Sequence, residues 1–222
     1  MRVKQPVSER GSLKWMQQAV ADRWADLEQP ILAGLEGAKE LHWLSPRKDD
    51  EFAEYRDTAW LRRLDLGKLG GELPDFWPTR GPQWDALARS DAQHVILVEA
   101  KAHIAEFCSP PSQASSRSLA LIEQSLGNVA ADLGVVERKR RDWSTHFYQY
   151  TNRLAHLHWL RAQNVDAKLV LVGFVHDDEM PGRPTKEAWD AAYIVADSVL
   201  GLPKRHALSR HIIHVHPQVD RH

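Results

Sequence analysis

The chain has 222 residues, 43% hydrophobic and 27% charged, with a formal net charge of −1. That length and composition suit one globular domain with a well-buried core, residues 1–222, and exclude a disordered or low-complexity chain. The near-neutral balance, with a pI of about 6.9, lacks the cationic excess common in nucleic-acid binders, so a surface of that kind would have to be local.

The start, Met1-Arg2-Val3-Lys4-Gln5-Pro6, leads into polar residues rather than the apolar centre of a signal peptide. From Ser12 to about Ala38 the residues Leu13, Met16, Val20, Trp24, Leu27 and Ile31 recur at helical spacing, with Pro30 as the predicted kink or break. A second helix is predicted from Asp49 or Asp50 to Leu64, the aspartates favouring its positive N-terminal end. Residues 1–66 therefore read as an N-terminal helical part, a cap on an α/β core over 67–222. The segment Gly67 to Gly81 is rich in Gly and Pro and reads as loop, packed down by Phe76 and Trp77.

Two strands follow, Gln83 to Arg89 and His94 to Ala102, joined by a turn at Ser90-Asp91-Ala92-Gln93 that fits a hairpin. Val95-Ile96-Leu97-Val98 is apolar on both faces, which predicts a central strand covered by helices. The single cysteine, Cys108, cannot form an internal disulfide and favours a reducing cytoplasm; it opens a Ser/Pro loop running to Ser118. Helices from about Ser118 to Leu133 and from Trp143 to Gln163, an apolar strand Lys168 to Val175, a helix Thr185 to Leu200 and an edge strand His211 to His216 complete the series. The apolar stretches around Val95 to Val98 and Leu169 to Val175 are too short to span a bilayer, so no membrane partner is expected. Alternating helices and apolar strands predict an α/β layered fold.

The chemistry concentrates in residues 83 to 103. Side chains two apart in a strand share a face, so Glu99 and Lys101 project together while Val98 and Ala100 face the other way. If the preceding strand pairs as a hairpin, Asp85 comes beside Glu99. Such a carboxylate pair suits Mg²⁺, or Mn²⁺ as a substitute, which takes one or two protein carboxylates and fills its octahedron with water and phosphate oxygens. Lys101 could then orient or deprotonate the attacking water, or neutralise charge on the phosphate.

Asp85 followed by Glu99-Ala100-Lys101 resembles the PD-(D/E)XK, or restriction-endonuclease-like, superfamily. The phrases Phe76-Trp77-Pro78, Arg80-Gly81-Pro82-Gln83-Trp84-Asp85-Ala86-Leu87 and Phe147-Tyr148-Gln149-Tyr150-Thr151-Asn152-Arg153-Leu154 are similar to an uncharacterised bacterial branch of it. Trp84 stands where the superfamily's name has proline. The resemblance implies a three-layer fold with a mixed central sheet flanked by helices, Mg²⁺ dependence and phosphodiester hydrolysis, but supplies no substrate; a nuclease acting on DNA ahead of RNA is the first expectation. It implies a further acidic residue from the N-terminal part, for which Glu54 and Glu51 are candidates, with Glu36 and Glu40 behind them. It also implies a polar residue on the helix after the lysine: Gln149 as a hydrogen-bonding catalytic residue, with Arg153 four residues on to grip phosphate.

The competing expectation is a non-catalytic nucleic-acid or protein interaction module on the same fold; a small phosphate ester as substrate and a homodimer stay open. The run Glu137-Arg138-Lys139-Arg140-Arg141 could meet a nucleic-acid backbone but reads first as a solvated loop. His206, His211, His214 and His216 have no zinc-site spacing. Asp177-Asp178 before Pro181-Gly182 reads as a turn.

Overall fold

The computed structural model describes residues 1–179 and 182–219, and Pro181 of the expected turn lies outside them. Its centre is a five-stranded mixed sheet in the order β2-β4-β5-β6-β7. The elements run β1 (Arg2–Val3), α1 (Gly11–Ala21), α2 (Ala25–Ala33), β2 (Leu41–Ser45), β3 (Glu54–Tyr55), α3 (Thr58–Arg63), α4 (Leu73–Phe76), β4 (Ala86–Ser90) and β5 (Val95–Lys101). They continue with α5 (Ile104–Phe107), α6 (Ser116–Asp132), α7 (Glu137–Arg140), α8 (Tyr148–Ala162), β6 (Ala167–Gly173), α9 (Lys186–Leu200) and β7 (Ile212–Val215). β2, β4 and β5 pair antiparallel, whereas β5, β6 and β7 pair parallel. None of the described helices is long and apolar enough to cross a membrane.

Strand alternation divides the core into two faces. Ile96, Val98 and Ala100 of β5, with Val170 and Val172 of β6, pack on one face against Trp15, Met16, Leu27 and Ile31 of α1 and α2. Val95, Leu97, Leu169 and Leu171 point the other way, into Leu126, Leu154, Leu157 and Trp189 of α6, α8 and α9. β5 is thus the middle strand and apolar on both sides, as its composition predicts for a strand covered twice. Gly173 ends β6 because Trp189 of α9 lies against it: a Cβ there would stand 2.6 Å from the indole.

Four sequence expectations need correction. The first helix breaks at Asp22-Arg23-Trp24, where Arg23 is left-handed at φ 53°, and Pro30 sits inside α2, where it removes a single helical hydrogen bond. The helix expected from Asp49 to Leu64 is present only as α3, because Glu51 and Phe52 are both left-handed and Glu54–Tyr55 is extended. That stretch is claimed instead by long-range pairing: Arg2 opposes Tyr55 and Val3 opposes Glu54. Residues 1–66 are not a helical cap alone, since β2 forms an edge of the main sheet on β4. The helix expected from Trp143 likewise starts at Tyr148, after a 3-10 turn at Arg141–Ser144 and a left-handed Phe147.

α8 is seated by an aromatic box around His156. Its ring lies 4.8 Å from Trp77, 5.4 Å from Phe76 and 6.2 Å from both Trp60 and Trp84, and Nδ1 donates to the Asn152 carbonyl at 2.9 Å. Burial holds this imidazole neutral, depressing its pKa to about 3, with the Arg153 charge adding to the effect and the Asn152 bond opposing it. An unfolded histidine titrates near 6.5, so below that pH the unfolded chain takes up a proton that the folded one refuses. Stability should therefore fall below pH 6.5 by up to about 1.4 kcal/mol per pH unit from this group, levelling off near its folded pKa. Urea unfolding at pH 7, 6 and 5 should show that slope in the wild type and a shallower one in His156→Phe; equal slopes would contradict the assignment.

Candidate active site

Pairing of β4 with β5 sets Ala86 against Val98, and continuing that register by one residue puts Asp85 opposite Glu99. Asp85 ties the two chains directly: its Oδ2 accepts from the Ala100 N–H at 2.7 Å. Strand alternation then carries Glu99 and Lys101 to the face covered by α8, while Val98 and Ala100 pack towards α1. Lys101 Nζ lies 2.5 Å from Glu99 Oε1, and Arg153 Nε donates to Glu99 Oε2 at 2.5 Å. Arg153 also donates from Nη2 to the Gln83 carbonyl at 2.9 Å and from Nη1 to Asn152 Oδ1 at 3.3 Å, with its guanidinium 4.8 Å above the Trp84 ring.

Glu54 enters from β3, the short strand held by the N-terminal arm. Its Oε2 accepts from Gln5 Nε2 at 2.9 Å and from Gln83 Nε2. Tyr55 bridges Trp84, which places Glu54 next to the chain that leads into Asp85. An open cleft of about 430 Å³ is lined by Glu54, Asp85, Glu99, Lys101, Gln149 and Arg153 together with Arg80, Ser109, Gln113 and Tyr148. Gln149 is exposed at the start of α8, with its backbone N–H donating to Ser109 Oγ at 2.9 Å.

The structure thus gathers Asp85, Glu99, Lys101, Glu54, Gln149 and Arg153 on one cleft and leaves out the other acidic candidates. Glu51 turns to the surface, pairing with Lys4 at 2.6 Å and Arg2 at 3.0 Å, and Glu40 lies 3.9 Å from Arg23. Glu36 is exposed outside the cleft. Arg153 lines the cleft but is only 5% exposed, and three of its five N–H donors are engaged by Glu99, Gln83 and Asn152, so it positions Glu99. Gln83 and Asn152 were missed by sequence reasoning. Gln83 had a signal, because in an extended segment it shares a face with Asp85.

The charges are strongly coupled. Asp85 is pushed up to about 8 by burial and then by the Glu99 charge, with Lys101 and the Ala100 N–H opposing. Glu54 is raised by burial, against its bonds from Gln83 and Gln5. Burial works against ionisation of Glu99 as well, but Arg153 and Lys101 outweigh it and hold the carboxylate below its usual range. Burial would lower Lys101, yet Glu99 and Asp85 carry it above the ordinary lysine value, so it is an ammonium at neutral pH.

Those donors fit a hard divalent cation. Asp85 Oδ1 has no hydrogen-bond partner among the described residues, and burial together with the neighbouring Glu99 charge raises the Asp85 pKa, whereas both Glu99 oxygens already face a cation, Lys101 or Arg153. No three His, Cys, Asp or Glu side chains are grouped to hold a metal among the described residues, so water and substrate oxygens would have to complete the shell around Asp85 and Glu99. The histidines lie apart from the cleft: His214 packs 4.4 Å from Tyr193, His216 Nε2 is 3.5 Å from Asp190 Oδ1, and His211 Nδ1 is 3.4 Å from Lys168. Asp177 is fully buried and accepts from Trp15 Nε1 at 2.7 Å and from the Glu179 N–H at 2.9 Å, which clamps α1 to the loop after β6.

Compared with family models, with curated proteins and with solved structures, the chain matches none.

Two outcomes follow from the charge network. Arg153→Met should destabilise the protein by about 3–5 kcal/mol in denaturant melts, because it leaves Glu99 buried with one partner fewer, and Arg153→Met with Glu99→Gln should recover part of the loss. In metal-free protein, Asp85 binds a proton when folded that it releases near pH 3.8 when unfolded, so its contribution turns unfavourable as pH rises from about 4 to about 8. Asp85→Asn should gain on the order of 4 kcal/mol relative to wild type between pH 5 and pH 8. A constant difference between the two proteins across that range would remove the assignment.

Proposed function

We propose that the cleft is the active site of a metal-dependent nuclease, a hydrolase of phosphodiester bonds in nucleic acid, DNA ahead of RNA, and that the chain resembles the PD-(D/E)XK superfamily in function as well as motif. The observation that carries this reading is the convergence of Asp85, Glu99 and Lys101 with Glu54 and Gln149, from separate segments, on one cleft. Asp85 and Glu99 are the residues that would hold Mg²⁺ or Mn²⁺, which supplies positive charge that polarises a phosphate oxygen and acidifies water. In the reaction a water oxygen bonds to phosphorus, the ester P–O bond breaks, and the leaving oxygen takes up a proton.

The chain's own groups have distinct parts in that scheme. Lys101, as an ammonium, can donate hydrogen bonds but accept no proton, so it stabilises charge developing on the phosphate and orients water rather than acting as base. Glu99 keeps Lys101 aimed, and Arg153 fixes Glu99. Glu54 lines the acidic side of the cleft, and Gln149 offers an amide donor to a phosphate oxygen. The non-catalytic alternative draws on one feature of the same site: both Glu99 oxygens are engaged by cations, a closed network that would also suit a purely structural role.

Cleavage of single-stranded, duplex, nicked and branched DNA and of RNA, in Mg²⁺ and in Mn²⁺, separates the two. Lys101→Ala should lose a factor of roughly 10²–10³ in rate while the metal-induced rise in melting temperature persists. Asp85→Ala and Glu99→Gln should lose both. Wild-type melts indifferent to metal, with no turnover on any of these substrates, would reject the nuclease in favour of the interaction module.

A further inference from the structure

We propose that a second, basic cavity beside the cleft holds phosphates flanking the one under attack, so that the substrate is a nucleic-acid strand several nucleotides long rather than a small phosphate ester. This rests on the cleft being the hydrolytic site. The cavity, about 550 Å³, is lined by Arg140, Arg141, Ser144 and Thr145 with Glu123 and Leu126. Despite the net charge of −1, the chain carries four consecutive cations, Arg138 to Arg141, and the last two of them line this cavity. Among the described residues only Lys139 of the four has a carboxylate partner, Asp142 at 3.2 Å. Arg140 spends Nε on the Val135 carbonyl at 3.0 Å and forms no ion pair among the described residues, while Arg141 is exposed. Cations on a solvated loop commonly pair with neighbouring acids; these line a concavity instead, in the planar, fork-like form that suits phosphate.

A backbone hydrogen bond links the lining of the cavity to that of the cleft. The Ser112 N–H donates to the Ser144 carbonyl at 3.1 Å, joining a residue that lines the cavity to the segment whose Pro111 and Gln113 line the cleft. Along the chain, Thr145 of the cavity precedes Tyr148 of the cleft by three residues, a reach of at most ~10 Å. Phosphates in one strand follow each other every ~3.4 Å of helix axis, so a stretch of a few nucleotides bridges the two sites. Glu123, whose carboxylate accepts from Ser144 Oγ at 3.2 Å, is the one acidic group in the cavity lining and opposes an anion there.

The test uses the full chain and a fluorescein-labelled 12-mer of deoxythymidine in Ca²⁺, read by anisotropy across a salt series. Arg140→Gln with Arg141→Gln should weaken binding roughly tenfold and reduce the salt slope by about 1.4, or ~0.7 per lost phosphate contact. Glu123→Gln, which retains an acceptor for Ser144, should tighten binding. In Mg²⁺ or Mn²⁺ the ratio of oligonucleotide to bis(p-nitrophenyl) phosphate hydrolysis should fall in the double variant. An unchanged salt slope in the double variant, weaker binding in Glu123→Gln, or thymidine monophosphate binding as tightly as the 12-mer would overturn the inference. Absence of turnover on both substrates would defeat the nuclease reading alone, because the anisotropy arm decides the basic track independently.

Discussion

Glu99 and Arg153 each keep only 5% of their surface exposed, and burying two charges costs several kcal/mol per ion unless their remaining hydrogen-bonding groups are satisfied. Most of that demand is met: Lys101 takes the other Glu99 oxygen, Gln83 and Asn152 each accept one further Arg153 N–H, and the Trp84 ring lies under the guanidinium. The pair ties the middle strand β5 to α8, and through Gln83 it reaches the segment leading into Asp85. Gln83 in turn donates to Glu54, so β3 joins the same network. Lys101 is thus one bond from this pair and Glu54 two, Asp85 bonds the backbone next to Glu99, and Gln149 stands apart at the exposed end of α8.

The support beneath it is apolar. Trp60, Phe76, Trp77 and Trp84 surround His156, one helical turn beyond Asn152 and Arg153, and fix the depth and rotation of α8 against β5. An imidazole kept neutral there serves the packing, since a charge in that box would be unpaired next to Arg153. The site is rigid on the strand side and on the helix side, and the ion pair bridges the two. The cleft is close to charge balance, three carboxylates against Lys101, Arg153 and Arg80, in keeping with the net charge of −1 for the whole chain.

By itself the sequence determined the elements whose signal is local. Period-two alternation and an unbroken apolar run were enough to place Glu99 and Lys101 on one face of a central strand, and the Ser90–Gln93 turn was enough to bring Asp85 across from Glu99, because a hairpin's register follows from its turn. Helical spacing found α6, α8 and α9 to within a few residues, with Thr185 capping the last by accepting from the Ala188 N–H. Tertiary structure alone decided what depends on partners distant in the chain. The segment around Glu54 has the composition of a helix and becomes a strand because Arg2–Val3 pairs with it across some fifty residues, and β2 joins the sheet by pairing antiparallel with β4 some forty-five residues on. That Glu54 rather than Glu51 lines the cleft, and that Arg153 pairs with Glu99, were likewise decided there. Periodicity reports which face a side chain occupies, whereas the partner it meets on that face is fixed by packing between segments that no local pattern connects.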